Sequence, residues 1–412
     1  MRGAQLCIIF VLVALYLSAG AHQDKTQAEP SPKKYEPAID QIKKAVAFLQ
    51  GDFEATGTSV VDGVPTPFRE RRRTNATGFF LRVPEPRAGE DLGIVYLVTN
   101  RHAIRVPSAD GRGEGPYFKS LAIRINLRRP EPDGTQFRKA NVDVTDGRGC
   151  LTWLTHPDET VDLALVPIQL NPDTVDFKYI GTDLLATADI LKKHSIDEND
   201  EVLFAGLFAW HLGANKNYPI VRHGKISRLS EKRIPLDLLN PDRTAELHLA
   251  DVMSFGGNSG SPVFVRIGGV REGPSLAVGG YSYYLLGVMQ GFFPEGLDFT
   301  IDVVQRRGSA AQNSGIAAVV PADKLVEVLE TPRCRASRLH ALGDFMTERN
   351  RRDEAEKCYL EAIKLLEQSA PRHTDLAVTL ESYAALLKRA GRLGEARLIE
   401  SRVRAISAVR CE

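Results

Sequence analysis

Three short segments carry residue types that could perform acyl transfer together. The first is Phe255-Gly256-Gly257-Asn258-Ser259-Gly260-Ser261-Pro262-Val263-Phe264. A serine alone is a poor nucleophile and needs an adjacent base. Glycines on both sides of Ser259 allow a tight turn that brings backbone N–H groups close to a reacting carbonyl. Ser259 is therefore the candidate nucleophile, and the N–H groups of Gly257 and Ser259 are the candidate oxyanion donors. In isolation the segment would also suit a glycine-rich β-turn with incidental serines. The second segment, Tyr96-Leu97-Val98-Thr99-Asn100-Arg101-His102-Ala103, runs from an apolar strand into a polar turn ending in histidine. His102 would act as general base, then as acid for the leaving amine. The third, Val161-Asp162-Leu163-Ala164-Leu165-Val166, opens an apolar strand with an aspartate that needs a partner if buried. Asp162 would orient His102. Asp158 and Glu159 are rivals for that role, placed in a polar turn.

The chain order His, Asp, Ser is that of the chymotrypsin arrangement rather than of subtilisin or the α/β-hydrolases. The motifs Thr-Asn-x-His at 99–102, Asp-Leu-Ala at 162–164 and Gly-Asn-Ser-Gly-Ser-Pro-Val-Phe at 257–264 make the chain resemble trypsin-like serine proteases. The resemblance is strongest to the bacterial branch containing glutamyl endopeptidases, and it spans Ala76 to Leu329. It implies an all-β double barrel of six strands each, with the triad in the cleft between barrels. It also implies an early strand at Ala76-Thr77-Gly78-Phe79. The cysteine that flanks the base in animal trypsins is missing near His102.

The same resemblance places the pocket for the residue before the cut. It implies lining by the segment preceding the nucleophile and by a later strand. Met253 stands where trypsins carry an aspartate, so a buried Arg or Lys would lack a counter-charge. Ser254 matches a hydroxyl residue that glutamyl endopeptidases use on a carboxylate, but Met289 takes the place of their histidine. Met253, Ser254, Met289 and Phe292 are thus the expected pocket residues, with the methionines as a soft apolar wall. The expected preference is cleavage after small or medium apolar residues.

These segments need elements to hold them. From about Thr58 to Pro321, short β-branched and aromatic runs alternate with turn residues, the pattern of an all-β barrel or sandwich. A last strand is expected at Ile316–Val320 and a short helix at Asp323–Leu329, ended by Thr331-Pro332. Upstream, Ile39, Ile42, Val46, Phe48 and Leu49 recur at roughly helical spacing, which predicts one short helix. The protease domain is expected over 53–332, preceded by a linker and that helix over 22–52.

Beyond residue 333 the composition shifts to Ala, Leu, Glu and Arg. Ala355, Cys358, Tyr359, Ala362, Ile363 and Leu366 share one helical face, and Ala396, Ile399, Val403 and Ile406 share another. Glu354-Ala355 and Glu395-Ala396 lie 41 residues apart, the period of a helix-pair repeat. Two units over 333–412 resemble longer-period tetratricopeptide repeats. They would serve partner binding or self-association, or simply form a structural cap.

The chain has 412 residues, 43% hydrophobic and 25% charged, with a formal net charge of +1. This length suits two or three domains, and the balance gives no reason to expect nucleic acid as a partner. Arg69-Glu70-Arg71-Arg72-Arg73 is expected as a solvated loop. The start reads as an export signal: Arg2, an apolar run from Leu6 to Leu17, and Ser18-Ala19-Gly20-Ala21 for cleavage after Ala21. A secreted or periplasmic chain follows, with no membrane segment beyond the signal. Cys150, Cys334, Cys358 and Cys411 remain after cleavage, and sequence alone leaves three pairings open. No cofactor or metal is expected. The reading is an exported serine endopeptidase acting on polypeptides. Its alternatives are a catalytically weak protease-fold scaffold acting through its repeats, or an esterase using the same residues.

Overall fold

The computed structural model describes residues 36–61, 64–89, 93–107, 114–237, 240–268, 280–301, 306–408 and 411. The export signal expected over 1–21 lies outside them. Two compact units are present. Among the described residues, one comprises 42–84 and 93–331; the other comprises 36–41, 85–89 and those from 332 onward.

The described chain begins with α1 (Ala38–Lys44), whose last turn enters the β-rich unit, followed by β1 (Val46–Val61). The predicted helix therefore ends sooner than its apolar spacing suggests. Val46, Phe48 and Leu49 belong to β1, because Ala47, Phe48 and Leu49 are all buried and Phe48 and Leu49 pair on both edges. A short continuous apolar run reads alike as helix or as a strand covered on both faces. The strand extends the β-rich unit upstream of residue 53.

The strands that follow are β2 (Val64–Pro84), β3 (Gly93–Thr99), β4 (Ser120–Asn126), β5 (Phe137–Asp143), β6 (Ala164–Pro167) and β7 (Ile180–Gly181). They form a seven-stranded half-barrel in the order β5-β4-β1-β2-β3-β6, with β7 pairing parallel to the end of β2. Phe80, Leu97, Ile123 and Trp153 lie in its core. The basic run 69–73 is part of β2 rather than a loop. Its alternate residues face acids on β1: Arg69 Nη2 lies 2.5 Å from Glu54 Oε2 and Arg73 Nε 2.6 Å from Asp52 Oδ1.

After α2 (Ala188–Lys193) come β8 (Glu201–Gly206), β9 (Ile220–Arg228), β10 (His248–Asp251), β11 (Pro262–Gly268), β12 (Tyr281–Ile301) and β13 (Arg306–Pro321). These close a six-stranded barrel in the order β8-β9-β10-β13-β12-β11. Phe204, Val263, Val265, Leu286, Met289 and Val319 fill it. Of the two barrels expected, then, one closes and the other is a half-barrel, since among the described residues no ladder joins its outer strands β5 and β6 directly. Helix α3 (Ala322–Leu329) buries Leu325, Val328 and Leu329 at the end of this unit.

Buried inside the second barrel, His248 offers a pH test. Its Nδ1 accepts the Ser230 N–H at 2.9 Å, and its Nε2 has no partner among the described residues. Burial pushes its pKa down to about 4. Between about pH 6.5 and 4 the unfolded chain therefore binds more protons than the folded one. Stability present at neutral pH falls as pH drops through that window, by about 3 kcal/mol in all. Urea unfolding at pH 7 and pH 4 should show this loss, and His248→Asn, which keeps an acceptor for Ser230, should flatten it. An unchanged pH slope in the variant would refute the assignment.

The second unit is helical: α4 (Pro332–Glu348), α5 (Arg352–Ser369), α6 (Thr374–Arg389) and α7 (Leu393–Ser407). The 41-residue period is visible in its turns. Asn350 and Gly391 both take positive φ, 59° and 77°. The next residues repeat one another: Arg351 N–H donates to Met346 O at 2.8 Å, and Arg392 N–H to Leu387 O at 2.9 Å. Each arginine then donates Nε to the glutamate three residues on, both at 2.7 Å. Ala355 and Ala396 are both fully buried beneath these turns. The predicted α5 face is buried throughout, whereas on α7 Ala396 and Val403 are buried and Ile399 and Ile406 partly so. Segment 85–89 belongs with the helices, Ala88 packing on their core and Arg87 lying 3.7 Å from Glu361. Cys334 and Cys358 are buried and lie outside any disulfide.

Candidate active site

Strand β3 is apolar up to Thr99 and then meets three polar residues, so the ladder ends and the chain turns. Asn100 and Arg101 fasten the turn to the Asp162 segment. Asn100 Nδ2 donates to the Asp162 carbonyl at 2.9 Å, and Arg101 Nη2 to the Glu159 carbonyl at 2.6 Å. A single helical turn, His102–Ile104, follows.

Asp162 grips His102 at two points. Its Oδ1 accepts the His102 backbone N–H at 2.9 Å, and its Oδ2 lies 2.5 Å from His102 Nδ1. The carboxylate side chain is only 14% exposed, whereas the imidazole is 45% exposed. Burial pushes the Asp162 pKa up, but the neighbouring His102 charge and its hydrogen bonds outweigh this and hold it below the ordinary carboxylate range. An ionised Asp162 claims the proton on Nδ1 and leaves Nε2 with the lone pair, which is the tautomer a general base needs. The rival Asp158 is engaged elsewhere. Asp158 accepts from Thr160 and from Arg233 Nη1 at 2.9 Å, and its pKa is lowered to about 2.

The Ser259 loop is held by its neighbours on both sides in sequence. Asn258 is buried; its Oδ1 accepts the Phe255 N–H at 2.8 Å and its Nδ2 donates to the Leu207 carbonyl at 2.6 Å. Gly257 and Gly260 have φ of 98° and 85°, which side-chain-bearing residues rarely adopt. Gly260 also leaves no room: a Cβ there would lie 2.0 Å from the Thr77 carbonyl oxygen and 2.4 Å from Thr99 Oγ1. Thr77 binds the loop from the half-barrel. Its N–H donates to the Ser259 carbonyl at 2.9 Å and its hydroxyl to the Gly257 carbonyl at 2.7 Å. Thr99, three residues before His102, donates its hydroxyl to the Thr77 carbonyl at 2.8 Å. The loop bearing Ser259 is thus pinned to β2 beside the end of β3, the strand that leads into the His102 turn.

Ser259 donates its own hydroxyl to the Gln290 carbonyl at 3.1 Å. Among the described residues no acceptor takes the N–H of Gly257 or of Ser259. No protein-family model matches the chain, and no curated protein matches it in sequence. What the site can do is therefore argued from its own atoms.

The four expected pocket residues are placed differently from one another. Met253 is 43% exposed, and its carbonyl accepts from Arg222 Nη1 at 3.1 Å. Ser254 is buried; its carbonyl accepts from Asn313 at 2.6 Å and its hydroxyl has no partner among the described residues. Phe292 is 39% exposed. Met289 is fully buried within the barrel core. Sequence reasoning missed the positioning residues Thr77, Thr99, Asn100 and Asn258. Their signal is faint: polar side chains inside or at the end of otherwise apolar strands, where a buried polar group must find a partner.

Proposed function

We propose that the chain is an exported serine endopeptidase of trypsin-like type, a chymotrypsin-like double barrel followed by tetratricopeptide-like repeats. The observation that carries this reading is the two-point clamp of Asp162 on His102, made in the turn that follows Thr99, whose hydroxyl bonds the Thr77 that holds the Ser259 loop. An isolated structural histidine has no need of both a backbone and a ring contact to one buried carboxylate.

In the proposed reaction the Ser259 Oγ bonds to the substrate carbonyl carbon and its proton passes to His102 Nε2. The carbonyl oxygen gains the electron pair and takes the N–H groups of Gly257 and Ser259. Asp162 stabilises the imidazolium. The C–N bond then breaks, and His102 gives its proton to the leaving amine. Water repeats the sequence on the acyl-enzyme, regenerating Ser259 and releasing the acid. The Ser259 bond to Gln290 must be exchanged for one to His102 at the first step. That bond is also what favours the second reading, a protease-fold scaffold with weak activity acting through its repeats.

Around the pocket, Met253 and Phe292 are apolar and partly open, and no carboxylate stands at either position. Both support cleavage after small or medium apolar residues. Digestion of a peptide library followed by mass spectrometry should show dominant cuts after such residues. Dominant cuts after Arg and Lys, or after Glu, would overturn this pocket assignment while leaving the triad standing.

A further inference from the structure

Residues 207–219, between β8 and β9, carry Trp210, whose exposure is 90%. Single exposed apolar residues are ordinary on protein surfaces. Trp210 differs in what holds it and in what lies beside it.

The loop is anchored at both ends by buried polar contacts. At its start the Leu207 N–H donates to Thr77 Oγ1 at 2.9 Å, and the Leu207 carbonyl accepts from Asn258 at 2.6 Å. At its end Asn217 is buried, with its N–H donating to Asn126 Oδ1 at 2.8 Å and its Nδ2 to the Arg124 carbonyl at 2.7 Å. Arg124 lies over the Phe137 ring at 3.6 Å and donates to the Gly213 carbonyl at 2.5 Å. A tryptophan on a fixed loop loses little freedom on binding a ligand, so its contact area is available at low entropic cost.

The same loop flanks the candidate oxyanion donors. A Cβ built on Gly257 would lie 3.4 Å from Leu207 Cδ2 and 3.5 Å from Ala209 Cβ, and Trp210 is the next residue. On the 257–261 segment the other contacts come from Thr77 of β2, already occupying the Ser259 and Gly257 carbonyls, and from β12: Gly260 N–H to Met289 O at 2.8 Å, Met289 N–H to Ser261 O at 2.9 Å, and Ser259 to Gln290. β12 and residues 253–254 are the lining assigned to the acyl half of the substrate. The 207–210 flank remains for the leaving half.

We propose that Trp210 is a specificity-determining residue that binds apolar side chains on the leaving-group side of the scissile bond. This rests on the serine endopeptidase reading above. The occupant is a polypeptide carrying a bulky apolar residue in the first or second position after the cut.

Two measurements test it. The first compares a peptide with leucine in both positions after the cut with one carrying glycine there, in wild type and Trp210→Ala. The variant should lower the leucine-to-glycine ratio of kcat/KM by about 10-fold. Hydrolysis of the methyl ester of the same acyl group, whose leaving group carries no bulky apolar part, should be unchanged. The second uses fluorescence. The chain has two tryptophans, and Trp153 is fully buried, so acrylamide quenching reads Trp210. In the Ser259→Ala protein the leucine peptide should protect Trp210 from acrylamide and the glycine peptide should protect it less. An unchanged kcat/KM ratio with unprotected Trp210 would overturn the proposal. An equal loss on peptide and ester would also overturn it, since Trp210 would then act by supporting the loop. Failure of the endopeptidase reading is distinguishable, because wild type would then cleave neither peptide, whatever it does to the ester.

Discussion

Replacing Ser259 by alanine is expected to lower peptide hydrolysis by about 10⁴–10⁶-fold, with little change in KM. The hydroxyl makes one hydrogen bond, to the Gln290 carbonyl, and the loop is held by Thr77 and Asn258 instead. The variant should therefore melt with the wild type, which separates lost chemistry from lost folding. His102→Ala should cost a similar factor. The double variant should cost little more than either single one, because nucleophile and base act as a unit. Steady-state kinetics on any peptide the wild type cleaves would show this. A Ser259→Ala protein that cleaves within ten-fold of the wild type would remove Ser259 from the mechanism.

Asp162→Asn should lower kcat by about 10³–10⁴-fold. The two oxygens of Asp162 have different partners. Oδ1 accepts the His102 backbone N–H, and Oδ2 faces Nδ1. An asparagine that keeps its oxygen toward the backbone N–H must turn its NH₂ toward the ring. Nδ1 must then accept, so the ring proton moves to Nε2 and the base is lost. The Asn100 contact is to the Asp162 backbone carbonyl and survives the change, so the fold should persist. A variant within ten-fold of wild type would mean that Asp162 positions the turn without setting the tautomer.

How much of this was legible before the structure depended on the kind of signal. His102, Asp162 and Ser259 announce themselves by residue type beside turns, and each does sit where a strand or turn ends. The strand runs at 94–98, 202–205 and 262–265 lie in β3, β8 and β11, since β-branched runs bounded by turn residues have few other options. The repeated Glu-Ala pairs mark two helical turns with the same arginine contacts. Other features were hidden because long-range pairing decides them. Val46–Leu49 reads as helix until its two partner strands are known. Arg69–Arg73 reads as solvated loop because its partners Asp52 and Glu54 are distant in sequence, and alternation of charge across a ladder is not visible on one strand. Segment 85–89 joins the helical core through Ala88, a single small residue with no pattern around it. Met289, read as pocket wall, is a barrel-core side chain, since neighbouring residues on a strand point to opposite faces.

The central claim is that Ser259 is a nucleophile activated by His102. A fluorophosphonate probe tests it most directly, because an activated serine oxygen bonds to phosphorus, fluoride leaves, and the hydroxyl proton passes to the base. Wild-type protein should become covalently labelled, His102→Ala should label far more slowly, and Ser259→Ala should not label at all. A folded wild type that stays unlabelled, or a Ser259→Ala variant that labels as the wild type does, would contradict the account.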